Sequence, residues 1–373
     1  MSTGLWLIGA RGSVATTAVL GLAALARGHA GPEGCVTAGW PGLEDWDRIV
    51  VGGHDVSDVS LAKRAETLVD AGMIPAALLA ATRDDLELAD AEIRPGYAAL
   101  PPGRSQQQEA ERLAADLIDF RERHGLSRVV VIDLSSTEPP HDLPDFSVEA
   151  IAEPDREVLP PSAVMAWAAL LAGSPYAGFT PSTGMRPLLD LAREAGVPVA
   201  GQDGKTGQTW LRTVLAPAFT DRGLRVLSWA GANLLGGGDG ATLADPAAVR
   251  SKLASKTRGL RDLTGSDVTP LHIDNVPDLG DVKVAWDHVH VQGFLGSRIT
   301  LQTTWSAYDS MLAAPMVLDL TRLLALADRA GLAGVVPELG FFFKDPWGSD
   351  RHGAADQAAA LRAWAERTAE AAL

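Results

Sequence analysis

Cysteine is almost absent: Cys35 is the sole one in 373 residues, which excludes an intrachain disulfide and a thiolate metal cluster. Lysine is also scarce. Of 32 basic residues only six are lysine (Lys63, Lys205, Lys252, Lys256, Lys283 and Lys344), leaving 26 arginines. Arginine solubilises a surface as well as lysine does, but it cannot shift its pKa toward neutrality or act as a compact oxyanion partner, so each lysine invites a reason. Positive charge is lacking overall. A net charge of −15 argues against nucleic-acid or anionic-membrane binding, which needs a basic face, but leaves room for a small anion held by a few cations. Long apolar runs are missing near the start, where Ala18–Ala26 is too short to span a bilayer. No basic stretch leads into a cleavage-like site. A cytoplasmic protein with no nucleic-acid and no membrane partner is expected. His288 and His290 share one face of a strand without a third ligand at catalytic spacing, so no metal site is expected. What is present is 46% hydrophobic residues in a chain longer than one core usually serves, which predicts two domains.

In chain order, Leu5–Ile8, the turn Gly9-Ala10-Arg11-Gly12-Ser13 and an Ala/Leu-rich run read as strand, glycine turn and helix. Such a turn brings unpaired N–H groups to a pyrophosphate, although Gly-x-x-Gly-x-x-Ala fits an ordinary strand-to-helix turn equally well. The spacing predicts a strand over Cys35–Ala38 and a loop over Gly52–Ser57, with Asp55 a candidate for a ribose hydroxyl. Helices are predicted over 61–70, 107–124, 161–171 and 185–195, and strands over 129–133, 176–180 and 197–200. The loop Leu134-Ser135-Ser136-Thr137 lies at the carboxyl end of a buried strand, where α/β sheets bind ligands. This alternation predicts a Rossmann-like, doubly wound parallel sheet.

Beyond Trp210 the pattern changes to strands over 224–230, 268–276, 281–293 and 298–304, of antiparallel, half-exposed character. A long apolar helix follows over 311–326, and another over 354–372. The expected division is residues 1–209 plus 311–373 as a dinucleotide-binding domain, with 210–310 an inserted α+β catalytic and oligomerisation domain. Three of the six lysines fall between Gly201 and Lys256. Gly204-Lys205-Thr206 lacks the earlier glycine of a nucleotide-hydrolase phosphate loop, where Val199 stands. Lys252 and Lys256 are four apart, on one face of a helix, and tolerate each other best with an anion between them.

Several segments in this order resemble the inositol-phosphate synthase family: Gly52–Ser57, Gly173–Pro175 with Phe179–Pro181, Ala200–Thr209, Asn233–Gly236 with Asp239-Gly240, Arg250–Lys256, Val276–Ala285, Asp309–Pro315, and Lys344 before Asp345-Pro346. The resemblance spans residues 5 to 350. The chain departs from the family pattern at Ala10-Arg11, Gly237-Gly238 and near Ser136, where family members carry asparagines. The resemblance implies NAD as cofactor, a small-molecule sugar phosphate as substrate and a homotetramer. It places Gly9, Ala10, Arg11, Gly12, Ser13, Asp55, Ser135, Ser136, Thr137, Asp203, Gly238, Asp239, Asp281, Asp309 and Ser310 at the cofactor. It places Thr206, Gly207, Gln208, Thr209, Asn233, Lys252, Lys256, Lys283 and Lys344 at the substrate, with Lys205, Asp203 and Asp309 joining the lysines in catalysis. The implied reaction turns D-glucose 6-phosphate into 1D-myo-inositol 3-phosphate by internal oxidation, enolisation, aldol cyclisation and reduction. A cyclase for another sugar phosphate such as fructose 6-phosphate, a phosphosugar dehydrogenase releasing NADH, and a non-catalytic NAD-binding module stay open as alternatives.

Overall fold

The computed structural model describes residues 2–138, 148–181, 186–236, 260–261, 263–265 and 271–372. Strands β1 (Thr3–Ile8), β2 (Ile49–Asp55), β3 (Ile93–Pro95), β4 (Arg128–Asp133), β5 (Tyr176–Gly178), β6 (Pro198–Gly201) and the late β11 (Gly334–Val335) form one sheet. Its order is β11-β6-β5-β4-β1-β2-β3, with every pairing parallel. Helices α1 (Ser13–Ala26), α2 (Leu61–Asp70), α3 (Ala76–Ala91), α4 (Gln106–Arg123), α5 (Val148–Ala152), α6 (Pro161–Leu171) and α7 (Arg186–Glu194) connect the strands.

Residue alternation in β1 explains why both faces need covering. Leu5 and Leu7 pack into one apolar cluster with α1 and the long helix Asp309–Arg329, whereas Trp6 and Ile8 join α4 and α6 in the other. The helix Asp309–Arg329 is long and apolar enough by composition to cross a membrane, yet 72% of its apolar window is buried inside the fold. It packs on α1 and β4, with the C-terminal helix Ala354–Ala371 beside it. After α8 (Gln208–Thr220) come β7 (Arg225–Leu235), β8 (Leu271–Asn275), β9 (Val282–Gln292) and β10 (Arg298–Tyr308), forming a second sheet in the order β10-β9-β7-β8. β9 runs antiparallel to β7 and β10, while β8 is parallel to β7.

Two expectations are corrected. Cys35–Ala38 is a turn and not a strand. The Val36 and Thr37 N–H groups donate to the Asp319 carboxylate at 2.8 and 3.1 Å, so a side chain takes the bonds a sheet neighbour would have taken. Gly52 and Gly53 lie inside β2 and not in a loop. A Cβ on Gly52 would come within 2.9 Å of the Trp6 ring and 3.0 Å of Phe120, so glycine serves close packing there and not a turn.

Candidate active site

The strand order reverses between β1 and β4, and the loops leaving their carboxyl ends open into a cavity of about 730 Å³. Ligands of doubly wound sheets bind at this switch point. Gly9, with φ +74, makes the turn after β1, and a Cβ there would approach the Leu134 carbonyl oxygen to 3.0 Å. Gly12 caps α1 without any side-chain hydrogen bond, and no acidic residue occupies the first turn. The helix N-terminus is thereby left to an anion. Across the switch point, Asp133 at the end of β4 accepts the Ser135 N–H at 2.9 Å and the Tyr176 hydroxyl at 2.9 Å, fixing the Leu134–Thr137 loop. Burial raises the Asp133 pKa, against the pull of these bonds.

The other wall begins with the segment Gly201–Lys205, stitched alongside Phe342–Asp345. Gln202 N–H donates to Asp345 O at 2.9 Å, Lys344 N–H to Asp203 O at 2.7 Å, and Lys205 N–H to Phe342 O at 2.8 Å. This pairing carries Lys344, 141 positions away, to Asp203, where its Nζ meets Oδ1 at 2.7 Å. Asp203 has φ +62, an uncommon conformation for a non-glycine residue. Its Oδ2 is buried without a hydrogen-bond partner, as are Ser135 Oγ and Thr180 Oγ1, and all three residues line the cavity. Polar atoms in that state are where a bound molecule is expected to bond.

A second lysine–aspartate pair arrives from the small sheet. Lys283 on β9 faces Ala307 on β10, and Asp309 opens the helix two residues later. The pair closes at 3.2 Å, and the Thr206 hydroxyl donates to the other Asp309 oxygen at 2.6 Å. Burial alone would raise the Asp309 pKa. The Lys283 ammonium, the Thr206 hydroxyl and Lys344 outweigh it and hold the carboxyl well below the usual range.

Of the residues singled out from sequence, Gly9, Gly12, Ser13, Ser135, Ser136, Thr137, Asp203, Thr206, Asp281, Lys283, Asp309, Ser310 and Lys344 line this one cavity. Others do not. Ala10 is buried. The Arg11 guanidinium turns to Asp90 and to Ser57 O. The Asp55 carboxylate accepts the backbone N–H of Arg11 at 2.6 Å and of Ser57 at 2.7 Å, buttressing the turn from behind. Gln208 and Asn233 are buried together, the Asn233 amide donating to Gln208 Oε1 at 2.8 Å and the Gln208 amide to Asp287 at 2.8 Å. Gly207 lies against Trp305, and Lys205 and Thr209 border a separate small cavity. Gly238, Asp239, Lys252 and Lys256 lie outside the described residues. Sequence reasoning missed Arg64 and Thr67 of α2, which line the same cavity, with Arg64 Nε donating to Arg11 O at 3.2 Å. No local motif marks them; their signal is the first α2 turns following β2.

Fold and cavity together define a Rossmann-like α/β protein with an inserted α+β domain, whose site pairs lysines with aspartates. The family model described as myo-inositol-1-phosphate synthase matches residues 41–366, and the chain belongs to that family. It is 30% identical to inositol-3-phosphate synthase 1 of Bacteroides thetaiotaomicron, covering 94% of this chain and 90% of that protein. It is 31% identical to the Drosophila melanogaster inositol-3-phosphate synthase over 78% of this chain and 56% of that one, so it spans little more than half the fly protein. Among solved structures, inositol-3-phosphate synthase of Caenorhabditis elegans superposes with a TM-score of 0.85 at 23% identity, over 99% of this chain and 86% of that one. A myo-inositol-1-phosphate synthase-related protein of Thermotoga maritima gives 0.79 at 23% identity, over 98% and 99%. These two likenesses establish the fold.

Proposed function

We propose that the chain converts D-glucose 6-phosphate into 1D-myo-inositol 3-phosphate in an NAD-dependent isomerisation. The observation that carries this reading is the meeting, in one cavity, of an uncapped glycine turn at the sheet's switch point with the Lys344–Asp203 and Lys283–Asp309 pairs. Gly9, Gly12 and Ser13 would hold the NAD pyrophosphate, and the Ser135–Thr137 loop and Asp203 the remainder, since their unpartnered polar atoms fit such a ligand. NAD, when bound, takes a hydride from the substrate and later returns it.

The rest is the work of the chain's own side chains on the sugar. The carbon bearing the phosphate ester becomes acidic once the neighbouring alcohol is a ketone, because the carbanion formed by deprotonation is delocalised as an enolate. That carbon then attacks the aldehyde, and reduction of the ketone restores the alcohol. Enolate and alkoxide both gain negative charge that a preplaced cation stabilises. Lys283 and Lys344, fixed by their aspartates, are assigned to the aldehyde oxygen and its developing alkoxide. Lys252 is assigned to the carbonyl that is oxidised and enolised, and Lys256 with Thr206, the one residue of the Thr206–Thr209 segment that lines this cavity, to the phosphate. Lys205, placed off this cavity, is not given a part in the chemistry.

We further infer a cytoplasmic homotetramer. Supporting this, β10 is an edge strand of largely exposed residues, and the adjoining turn presents Phe294 and Leu295 at 86% and 90% exposure. Light scattering that returned a 39.1 kDa monomer would overturn that part. The reaction is tested by supplying purified protein with catalytic NAD and either glucose 6-phosphate or fructose 6-phosphate, following product by phosphorus NMR and cofactor by absorbance. The expected result is a cyclic inositol phosphate from glucose 6-phosphate, far exceeding the NAD present and without net NADH. Turnover of fructose 6-phosphate alone, or NADH rising in step with product, would replace this assignment by a sister cyclase or a dehydrogenase.

A further inference from the structure

Behind the Asp203–Thr209 segment lies a second cavity of about 20 Å³, bordered by Lys205, Arg212, Thr209, Thr213, His352 and Gln357. A cavity of that size has room for a water or a small ion. Lys205 and Arg212 are only 5% and 2% exposed. The Arg212 Nε and Nη2 groups both donate to Asp287 Oδ1, at 3.1 and 2.5 Å. Asp287 also receives the Trp229 indole N–H and the Gln208 amide. Arg212 Nη1 is left buried without a partner.

Lys205 is the less balanced of the two. Its Nζ donates to a neutral amide oxygen, Gln357 Oε1, at 2.5 Å and stands 5.8 Å from the Phe341 ring centroid. Among the described residues no carboxylate forms an ion pair with it. Lys344, the other lysine bordering this cavity, is already paired with Asp203. Among the described residues the cavity therefore holds an arginine neutralised by Asp287, a guanidinium N–H without a partner and an ammonium without a carboxylate beside it. Buried charges are retained when they are paired and hydrogen-bonded. A water would satisfy the guanidinium but leave the charge uncompensated.

We propose that this cavity is a binding site for a single halide-sized anion, chloride in ordinary salt, held between Lys205 Nζ and Arg212 Nη1. The ion supplies the missing counter-charge and braces the back of the segment whose front carries Asp203 and Thr206. Burial pushes the Lys205 ammonium down to about 7, as expected for a cation deprived of its partner.

The test uses the full-length protein. Crystals grown with sodium bromide should show an anomalous-difference peak between Lys205 and Arg212, and thermal unfolding should show a saturable bromide stabilisation at ionic strength matched with gluconate. Lys205→Met, which keeps the bulk and removes the charge, should weaken that bromide response at least tenfold. Should that variant fold poorly, Thr213→Val narrows the polar lining without touching a charge and is expected to weaken bromide severalfold. A water or a phosphate at the site in bromide crystals, or an identical bromide response in a folded Lys205→Met protein, would overturn the proposal.

Discussion

The two faces of the segment from Asp203 to Gln208 differ more than their adjacency suggests. Its front, Asp203 and Thr206, opens to the large cavity and grips Lys344 and Asp309, the partner of Lys283. Its back, Lys205 and Gln208, is buried against Gln357 and the Arg212–Asp287–Trp229 network. One contiguous motif thus serves two compartments, one exposed to ligand and one holding the wall in place. Proximity in sequence gathers residues into a motif, and backbone direction then decides which of them can touch a substrate.

Substitutions on the two faces should fail in different ways. The largest effect is expected at the back: Asp287→Ala leaves Arg212 as a buried, unpaired charge and strands the Trp229 and Gln208 donors. A loss of about 3–5 kcal/mol in chemical denaturation is expected; a loss below about 1 kcal/mol would mean the network is not what holds the wall. At the front, Lys283→Ala should lower turnover by roughly 100-fold, about 2.7 kcal/mol of transition-state stabilisation, with dinucleotide affinity near normal. Lys283→Arg should not restore it, because the guanidinium is larger and disperses its charge.

A pH-dependent effect, about 1.4 kcal/mol for each pH unit, separates the faces again. The Lys205 pKa is depressed by burial to about 7 from an ordinary value of 10.5. Between those values the unfolded chain holds a proton that the folded chain has released, so stability should rise with pH across about 7 to 10.5. The cost of the buried charge is fully present below that window. In halide-free buffer the contribution is about 1.4 kcal/mol per pH unit, and Lys205→Met should remove it from the stability profile. An unchanged slope in the variant would place the titration on another group. The smallest effect is expected at Lys63, an exposed lysine paired with Glu66; Lys63→Ala should change neither turnover nor unfolding beyond about 0.5 kcal/mol.

Much of the frame was legible because its signals are local. The helices at 61–70 and 161–171 coincide with their apolar spacing and stops, and the parallel sheet follows from the alternation of apolar runs with helical segments. Gly52-Gly53 misled because a glycine pair reads as a turn, when what requires it is close packing on β2, of Trp6 and Phe120 against Gly52 and of the Leu7 carbonyl and Ala10 against Gly53. Cys35–Ala38 misled because its apolar character is spent on a turn held by Asp319, nearly three hundred positions away. Asp133 went unremarked, although an acid ending an apolar strand just before a polar loop was its signal. At the site, resemblance gathered Asp203 and Lys344 into one group, but the bond between them depends on a pairing across 141 positions that no local pattern shows. The outward turn of Arg11 and the use of Asp55 as a backbone clasp are likewise products of tertiary contact.

The central claim is that one cavity takes a hydride from the sugar, builds the ring and returns the hydride to the same carbon. Glucose 6-phosphate carrying deuterium at carbon 5, incubated with purified protein and catalytic NAD, tests this most directly by mass and NMR analysis of the product. The account predicts a cyclic inositol phosphate that retains the deuterium at the carbon from which it left, with the NAD pool unlabelled at the end. Deuterium accumulating in released NADH, or a product stripped of label, would contradict it.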